Sequence, residues 1–363
     1  MIKKLLPRWS LPLTMFHRGI QDLVRTIVVS ISKQDVLQSL QRGLLFILTL
    51  ALLISGCGQR FPSKKEFLMD TEVEIILPQG SEEDFTAAFN EIRRVEKLMD
   101  VHNPESEISR INRLGSKEAI KVSKEIFGVL KEALEYSRLT SGAFDVSIRP
   151  LSHLWGEKGK LKEVPEVREI EERLLLVNYK NIILNERNQT VEFKREGMAI
   201  DLGGVAKGYA LDCAIMVLKE RGVKEALINA GGDIRVTGKR NWRVGLQHPR
   251  KEDEVLAIIK LKDQAIATSG DYQRYFIKEG KRYHHIINPE TGYPAVECMS
   301  VTIIGPSAIQ TDILATGVFI LGPEKGMKLI EFLENIEGII VDVQGKILLS
   351  SGLKGKLQIS PKI

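Results

Sequence analysis

Residues 200–212 read IDLGGVAKGYALD and join an apolar strand end to a helical pattern. Glycines let the backbone approach a ligand closely, and the free N–H groups at a helix N-terminus favour anions. The spacing matches neither the P-loop nor the dinucleotide fingerprint. The stretch therefore predicts either an anion-contacting turn, to which Lys207 adds a positive charge, or a tight strand-to-helix turn with a surface lysine.

Helical patterns are concentrated early in the chain and strand patterns late. Ser81 and Asp84 predict a capping box before an apolar helical stripe over residues 85–99. Residues 67–77 alternate as one strand, and residues 308–321 and 324–336 predict two late helices. Because no regular βαβ alternation is present, we predict an α+β fold. Helices clustered in the N-terminal half would pack on a strand-rich C-terminal half.

The N-terminal region has the pattern of a secretion signal. The net charge of +5 is concentrated in residues 1–42, so the near-neutral remainder predicts no nucleic-acid partner. Residues 43–57, GLLFILTLALLISGC, form an apolar run that is short for a membrane span. The small residues before Cys57 resemble a bacterial lipobox. We predict a lipoprotein-type signal peptide over 1–56, a tether over 57–65 and one domain over 66–363.

On this interpretation Cys57 is lipidated and holds the protein on a membrane. The alternative is a short anchor helix in which this cysteine is incidental. Both place the body on the extracytoplasmic face of a membrane in a bacterial cell envelope.

Two further stretches contain residues suited to chemistry. Neighbouring residues of a strand face opposite sides, so His284 and His285 cannot easily bind one ion. One of them would act as acid, base or ligand contact, unless both are structural. Asp312 and Thr316 share a helix face, and their oxygens suit Mg²⁺ near phosphates. The alternative is a helix cap and a satisfied threonine. With the turn at 200–212, these residues suit a nucleotide diphosphate bound with Mg²⁺.

Six stretches in order carry a family resemblance. They are GAFDVSIRPLSHLWG (142–156), IDLGGVAKGYALD, NAGGDIRVTG (229–238), ATSGDY (267–272), HHIINPETGYP (284–294) and TDILATGVFILG (311–322). Together they resemble the FAD:protein FMN transferases, the ApbE family, from about Phe67 to the C-terminus. The resemblance implies an α+β fold with a ligand cleft between subdomains. It also implies Mg²⁺-dependent transfer of FMN from FAD to a serine or threonine of a target flavoprotein, with release of AMP. Family acceptors carry Asp-x-x-Ser/Thr-Gly-Ala-Ser/Thr.

The resemblance also implies roles for single residues. The metal would be held by the Gly204 carbonyl, Asp312 and Thr316. His285 would be the base for the acceptor hydroxyl, with Asp201 or Asp312 as rivals. FAD would be contacted by Met69, His102, Ala143, Phe144, Asp145, Asp201, Lys207, His285 and Ile286.

Three positions depart from the family pattern. Asp70 stands where the family has the glycine of Met-Gly-Thr, His102 replaces a common aromatic, and Asn288 replaces a frequent aspartate. Two alternative functions share the same motifs: an FAD pyrophosphatase that uses water as acceptor, and a non-catalytic FAD-binding lipoprotein. The second predicts loss of the metal pair, whereas Asp312 and Thr316 are both present.

Overall fold

The computed structural model describes residues 61–156, 163–355 and 357. The predicted signal peptide, the lipidation site at Cys57 and most of the predicted tether lie outside the described residues. Those boundaries therefore stay predictions. In the part of the chain that is described, no helix combines the length and apolarity needed to cross a membrane.

The described residues form seven α-helices. They are α1 (Glu82–Met99), α2 (Glu107–Leu114), α3 (Lys124–Leu139), α4 (Arg149–Leu154), α5 (Val167–Leu174), α6 (Ala206–Glu220) and α7 (Ala308–Phe332). The predicted capping box begins α1, because the Ser81 hydroxyl accepts from the Asp84 N–H and the Asp84 carboxylate accepts from the Ser81 N–H. The break predicted between the two late helices is a kink inside α7 at Gly322, where φ is 79°.

Fifteen strands are found in the same described residues. They are β1 (Ser63–Leu68), β2 (Thr71–Ile76), β3 (Ile120–Lys121), β4 (Ile182–Asn185), β5 (Thr190–Phe193), β6 (Ala226–Ala230), β7 (Asp233–Thr237), β8 (Trp242–His248), β9 (Lys251–Leu261), β10 (Ala265–Gly270), β11 (Tyr275–Lys278), β12 (Lys281–His284), β13 (Cys298–Gly305), β14 (Glu337–Asp342) and β15 (Ile347–Leu349).

The main sheet has eight antiparallel strands in the order β1-β2-β6-β7-β10-β13-β14-β15. One face is covered by α1, α6 and α7, whose apolar side chains merge with those of the sheet. The β8–β9 ribbon contributes to a second apolar cluster with the sheet. The mixed α+β prediction is confirmed, but the halves interleave: the first two strands join the main sheet, and the longest helix comes late.

The prediction of one strand over residues 67–77 is wrong, because a tight turn divides it. Met69 and Asp70 connect β1 to β2 with φ values of 54° and 59°. A two-residue hairpin turn with both φ values positive favours glycine, asparagine or aspartate. Asp70 thus adopts the left-handed backbone that a glycine would take easily. The Met69 N–H donates to Glu96 Oε1 at 2.7 Å, which ties the turn to α1.

One asparagine fixes the strand end that leads into residues 201–207. The Asn112 amide donates to the Ile200 carbonyl at 2.9 Å and accepts from the Ile200 N–H at 2.6 Å. Ile200 is fully buried. In addition, the Asp201 N–H donates to the Val146 carbonyl at 2.8 Å. These bonds satisfy backbone groups that have no ladder partner, and they set the direction in which the chain enters the turn.

We expect Asn112→Ala to lower the free energy of unfolding by about 2–4 kcal/mol, because it leaves two backbone groups of Ile200 without partners. Urea denaturation followed by circular dichroism measures the change. The matched control is Asn188→Ala, whose side chain is exposed between β4 and β5 and should change stability by about 0.5 kcal/mol or less. Equal effects of the two substitutions would contradict this view of Asn112.

Candidate active site

A cleft of about 650 Å³ opens beside the first turn of α6. Its volume lies within the range of sites that bind small molecules. Every residue that the sequence predicted for the site lines this cleft: Met69, His102, Ala143, Phe144, Asp145, Asp201, Gly204, Lys207, His285, Ile286, Asp312 and Thr316. The fold therefore brings together residues as far apart in the sequence as Met69 and Thr316. Their individual roles stay predictions.

Asp201 organises the turn between the buried strand end and α6. Its Oδ1 accepts from the Gly203 N–H at 2.8 Å, and its Oδ2 accepts from the Ser152 hydroxyl at 2.8 Å. The Arg149 guanidinium lies 3.7 Å from the same Oδ2. Because both oxygens already have partners inside the protein, the geometry favours Asp201 as a residue that positions the turn over Asp201 as a base.

Lys207 lies between two buried carboxylates. Its ammonium group pairs with Asp233 and lies 3.4 Å from Asp312 Oδ1. Burial works to lower the pKa of Lys207, but the two carboxylates outweigh it and raise the pKa, so the amine stays charged. Burial, together with the charge of Asp312, raises the pKa of Asp233, and the ammonium group opposes that rise. One ammonium group against two carboxylates leaves this cluster with a formal charge of −1.

The oxygen atoms around Asp312 and Thr316 suit a hard cation. Asp312 Oδ2 accepts from the Gly208 N–H at 3.0 Å, and Thr316 Oγ1 lies 3.3 Å from the Ser269 hydroxyl. A methyl group built on Gly204 would lie 3.3 Å from Thr316 Oγ1, which places this backbone beside the hydroxyl. Magnesium commonly takes one or two carboxylates and completes its shell with water and substrate phosphate. The donor set and the negative cluster both fit such an ion.

Acidic and sulfur or imidazole side chains alone do not form a metal site in the described part of the chain. Among the described residues, no three His, Cys, Asp or Glu side chains come together as a candidate metal cluster. A cation in this cleft would therefore depend on hydroxyl and backbone carbonyl oxygens as well as on Asp312.

The two adjacent histidines face opposite sides of their strand end, as the sequence predicted. His284 is buried, its Nε2 lies 2.7 Å from the Ala295 carbonyl, and its ring packs edge-on against Phe319. His285 lines the cleft and is exposed at its mouth. Although part of the residue is open to solvent at the mouth, desolvation of the ring by the surrounding protein, with His284 and the positive charge of Arg274 adding to it, lowers the pKa of His285 below its usual range. A neutral imidazole is the form that can accept a proton.

The segment 143–145 shapes one wall of the cleft. The Phe144 ring would lie 3.3 Å from a methyl group built on Gly204, so it packs against the turn. Both Asp145 oxygens are used internally, since Oδ1 accepts from Ser147 and Oδ2 accepts from the Tyr179 N–H at 2.9 Å. Burial raises the pKa of Asp145, and these hydrogen bonds oppose the rise. Its contribution to the cleft is therefore the shape of the wall.

Several cleft residues were not singled out from the sequence. They include Glu96, Arg149, Ser152, Trp155, Gln247, Ser269 and Arg274. Three of them lie in the quoted stretch 142–156, but nothing in the stretch distinguished them individually. Asp233, which holds Lys207, belongs to a Gly-Gly-Asp sequence that is also a common turn. Glu96 looks like any polar residue on the outer face of an amphipathic helix, and only the fold places it at the cleft.

Comparison with known proteins decides the family. The family model described as "ApbE family" matches residues 69–340. This chain belongs to the ApbE family. It is 34% identical over 304 residues to an FAD:protein FMN transferase of Klebsiella pneumoniae, covering 83% of this chain and 95% of the relative. An FAD:protein FMN transferase of Vibrio cholerae is 33% identical to this chain over 307 residues, which cover 80% of this chain and 91% of that relative.

Solved structures of ApbE proteins share the fold. The ApbE protein of Thermotoga maritima superimposes with a TM-score of 0.76 at 34% identity, covering 81% of this chain and 98% of that one. The flavin transferase ApbE of Vibrio cholerae gives a TM-score of 0.73 at 30% identity, covering 81% of this chain and 99% of that one. The resemblance inferred from the six sequence stretches is thereby confirmed.

The His285 ring should remain neutral across the range in which a free histidine titrates. A folded-state pKa well below about 6.5 means that acidification from pH 8 to pH 5 does not protonate it. We expect its nitrogen resonances in ¹⁵N-histidine NMR, assigned with His285→Gln, to stay unchanged over that range. The urea-unfolded chain is the control and should titrate near 6.5. A folded-state midpoint near 6.5 would contradict the lowered pKa.

Proposed function

We infer that this chain transfers the FMN half of FAD to a serine or threonine hydroxyl of a target flavoprotein and releases AMP. The observation that carries the inference is the convergence of Lys207, His285 and the Asp312–Thr316 pair in one cleft of an ApbE-family chain. FAD is the flavin donor, and the modified protein is the second substrate.

The proposed reaction is a phosphoryl-group displacement. The acceptor hydroxyl oxygen forms a bond to the phosphorus on the FMN side of the pyrophosphate. The bond between that phosphorus and the bridging oxygen breaks, and AMP leaves with this oxygen. His285 takes the proton of the hydroxyl, because its ring lines the cleft and is open at the mouth. A positioned base of this kind is typically worth about a hundredfold or more in rate.

Lys207 supports this step by holding charge close to the pyrophosphate. Its ammonium group stays protonated, and Asp233 fixes its position from the side away from solvent, since Asp233 is only 5% exposed. Phosphoryl transfer depends mostly on positioning and charge neutralisation, so a fixed cation is effective there.

Magnesium is the proposed metal of this site. The Gly204 carbonyl, Asp312 and Thr316 would hold Mg²⁺, which when bound would neutralise charge on the pyrophosphate. The formal charge of −1 in the Lys207 cluster and the hydroxyl beside the Gly204 backbone support this assignment.

One specific observation favours hydrolysis as a second activity. His285 is exposed at the mouth of the cleft, so water can reach it when no acceptor is present. The same residues would then cleave FAD to FMN and AMP. The non-catalytic carrier is less well supported, because a carrier needs neither a neutral base nor the Asp312–Thr316 pair.

The transfer reaction predicts a mass gain of one FMN on a small acceptor protein bearing Asp-x-x-Thr-Gly-Ala-Thr. The purified enzyme is incubated with FAD, Mg²⁺ and this acceptor, and the products are measured by mass spectrometry. We expect Asp312→Asn to abolish the gain, and His285→Gln to slow it by about a hundredfold while FAD still binds. Asp253→Asn, at an exposed carboxylate of β9, is the control and should leave the rate unchanged.

The products separate the alternatives. AMP and free FMN without a mass gain would favour the pyrophosphatase. Bound FAD with no AMP formed would exclude both enzyme activities and leave the carrier.

We also propose that Cys57 is lipidated and anchors the protein on the extracytoplasmic face of a bacterial membrane. The apolar run and the small residues before this cysteine support it. In a bacterial host fed labelled palmitate, the protein should incorporate label, and Cys57→Ser should not. Cys213→Ser and Cys298→Ser are controls that keep the label, because both thiols are buried in the fold. Label retained by Cys57→Ser would overturn the proposal.

A further inference from the structure

The hairpin formed by β11 and β12 stands at the mouth of the cleft. Gln273 and Arg274 precede β11, His285 follows β12, and all three line the cleft. The His285 N–H donates to the Arg274 carbonyl at 3.1 Å, which closes the base of the hairpin. Among the described strands, β11 and β12 pair only with each other. The hairpin is therefore an appendage whose base carries the proposed catalytic histidine.

One face of this hairpin is fixed to the body of the protein by aromatic packing. Phe276 stacks on Tyr283 with ring centroids 5.1 Å apart, and Tyr283 stacks on Trp155 at 5.8 Å. Tyr293 also contacts Trp155, in an edge-on arrangement with ring centroids 5.8 Å apart. Such pairs add to the free energy of burial and restrict geometry. The hairpin thus has a defined orientation relative to the cleft.

The other face of the hairpin is open towards its tip. Tyr275 and Ile277 share this face and are 42% and 62% exposed. The guanidinium of Arg282, which lies opposite Ile277 in the register, covers the Tyr275 ring at 4.0 Å and reaches Asp271 Oδ1 at 3.4 Å. A tyrosine, an isoleucine and an arginine on one rigid surface have the composition of a protein-binding site.

The charge of the hairpin is strongly positive. Residues 274–285 contain four basic side chains, Arg274, Lys278, Lys281 and Arg282, against the single acidic Glu279. Within the described residues, Arg274 and Lys278 have no carboxylate at ion-pairing distance, so their charge is free to act on a partner. By contrast, the cleft wall formed by the β1–β2 turn and the end of α1 carries Asp70, Glu96 and Asp100. An acidic partner would be drawn to the hairpin and repelled from that wall.

We propose that the open face and the basic tip of the β11–β12 hairpin dock the acceptor protein. An apolar side chain of the docked segment lies against Tyr275 and Ile277, and acidic side chains of the same segment pair with Lys278 and Lys281, which are exposed beside the turn at the tip. The proposal rests on the proposed function, which requires an acceptor hydroxyl to reach His285 at the base of the same hairpin. A segment bound on the hairpin enters the cleft beside that histidine. FAD does not need this surface, because Tyr275, Ile277, Lys278 and Lys281 are outside the residues that line the cleft.

The test measures the acceptor and FAD separately. Steady-state transfer to the acceptor protein with the Asp-x-x-Thr-Gly-Ala-Thr motif is compared for wild type, Ile277→Ser, and the double variant Lys278→Glu with Lys281→Glu. We expect the KM for the acceptor to rise about tenfold in each variant, with kcat and the KM for FAD unchanged. The acceptor KM of the wild type should also rise with salt, and this dependence should be weak in the charge-reversed variant.

Matched controls come from a sheet that contributes no residue to the cleft. Ile183→Ser replaces an exposed isoleucine of β4, and the double variant Lys117→Glu with Lys121→Glu reverses two exposed lysines near β3. Both should leave the acceptor KM unchanged. Thermal melts and FAD binding by calorimetry show that every variant is folded with an intact cleft.

The outcomes distinguish this proposal from the function on which it depends. Wild-type enzyme that transfers no FMN would mean that the proposed function has failed. Wild-type transfer with an unchanged acceptor KM in the hairpin variants would overturn the docking surface alone. A raised KM for FAD with an unchanged acceptor KM would also overturn it, because the hairpin would then serve the nucleotide.

Discussion

The interaction on which the rest of the structure depends is the ion-paired group formed by the half-buried Lys207 with the buried Asp233 and Asp312. It joins the first turn of α6, the first residue of β7 and the first half of α7. Asp233 also accepts from the Thr268 N–H on β10 at 3.4 Å, so a fourth element is tied in. Removing one member of a buried ion pair leaves an uncompensated charge and typically costs about 3–5 kcal/mol. The same three groups carry the proposed phosphate and cation chemistry, so fold and site share one set of contacts.

Close packing of α6 against α7 places that group. A methyl group on Gly208 would lie 2.2 Å from the Ala308 carbonyl oxygen, so only glycine allows the two helices to approach this closely. At this distance the Gly208 N–H reaches Asp312 Oδ2. One turn later, Asp212 accepts from the Ile309 N–H at 3.0 Å and pairs with Arg235. The start of α7 is therefore capped from α6, and the two helices hold the acidic end of the cleft in a fixed register.

The cleft has a rigid, hydrogen-bonded interior and an open mouth. The carboxylate oxygens of Asp145 and Asp201 accept hydrogen bonds from backbone N–H and hydroxyl groups of the protein. These bonds set the shape of the wall and of the turn. Towards the mouth, His285 is neutral and exposed, and Arg274 carries an unpaired charge within the described part of the chain. An FAD:protein FMN transferase needs this division, since one substrate must be enclosed while the other is a protein that enters from outside.

The sequence by itself determined whatever depends on neighbours within about four residues. The Ser81 capping box, the opposite orientations of His284 and His285, and the shared helix face of Asp312 and Thr316 all follow from local periodicity. The order of the six motifs also identified the family, and with it twelve of the residues that line the cleft. The local alternation over residues 67–77 predicted one strand wrongly. The turn at Met69 and Asp70 that divides it depends partly on Glu96, which is 27 positions away from Met69.

Only the tertiary structure decided which of these residues hold one another in place. Asn112 meets Ile200 across 88 positions, and Lys207 meets Asp312 across 105. Local sequence periodicity does not reveal such pairs, because each partner lies in an element whose local pattern would be the same if the pair were absent. The docking face of the hairpin is also a tertiary property. Its strand pattern is local, but which side is packed on Trp155 and which side stays open depends on the surface that folding places beneath it.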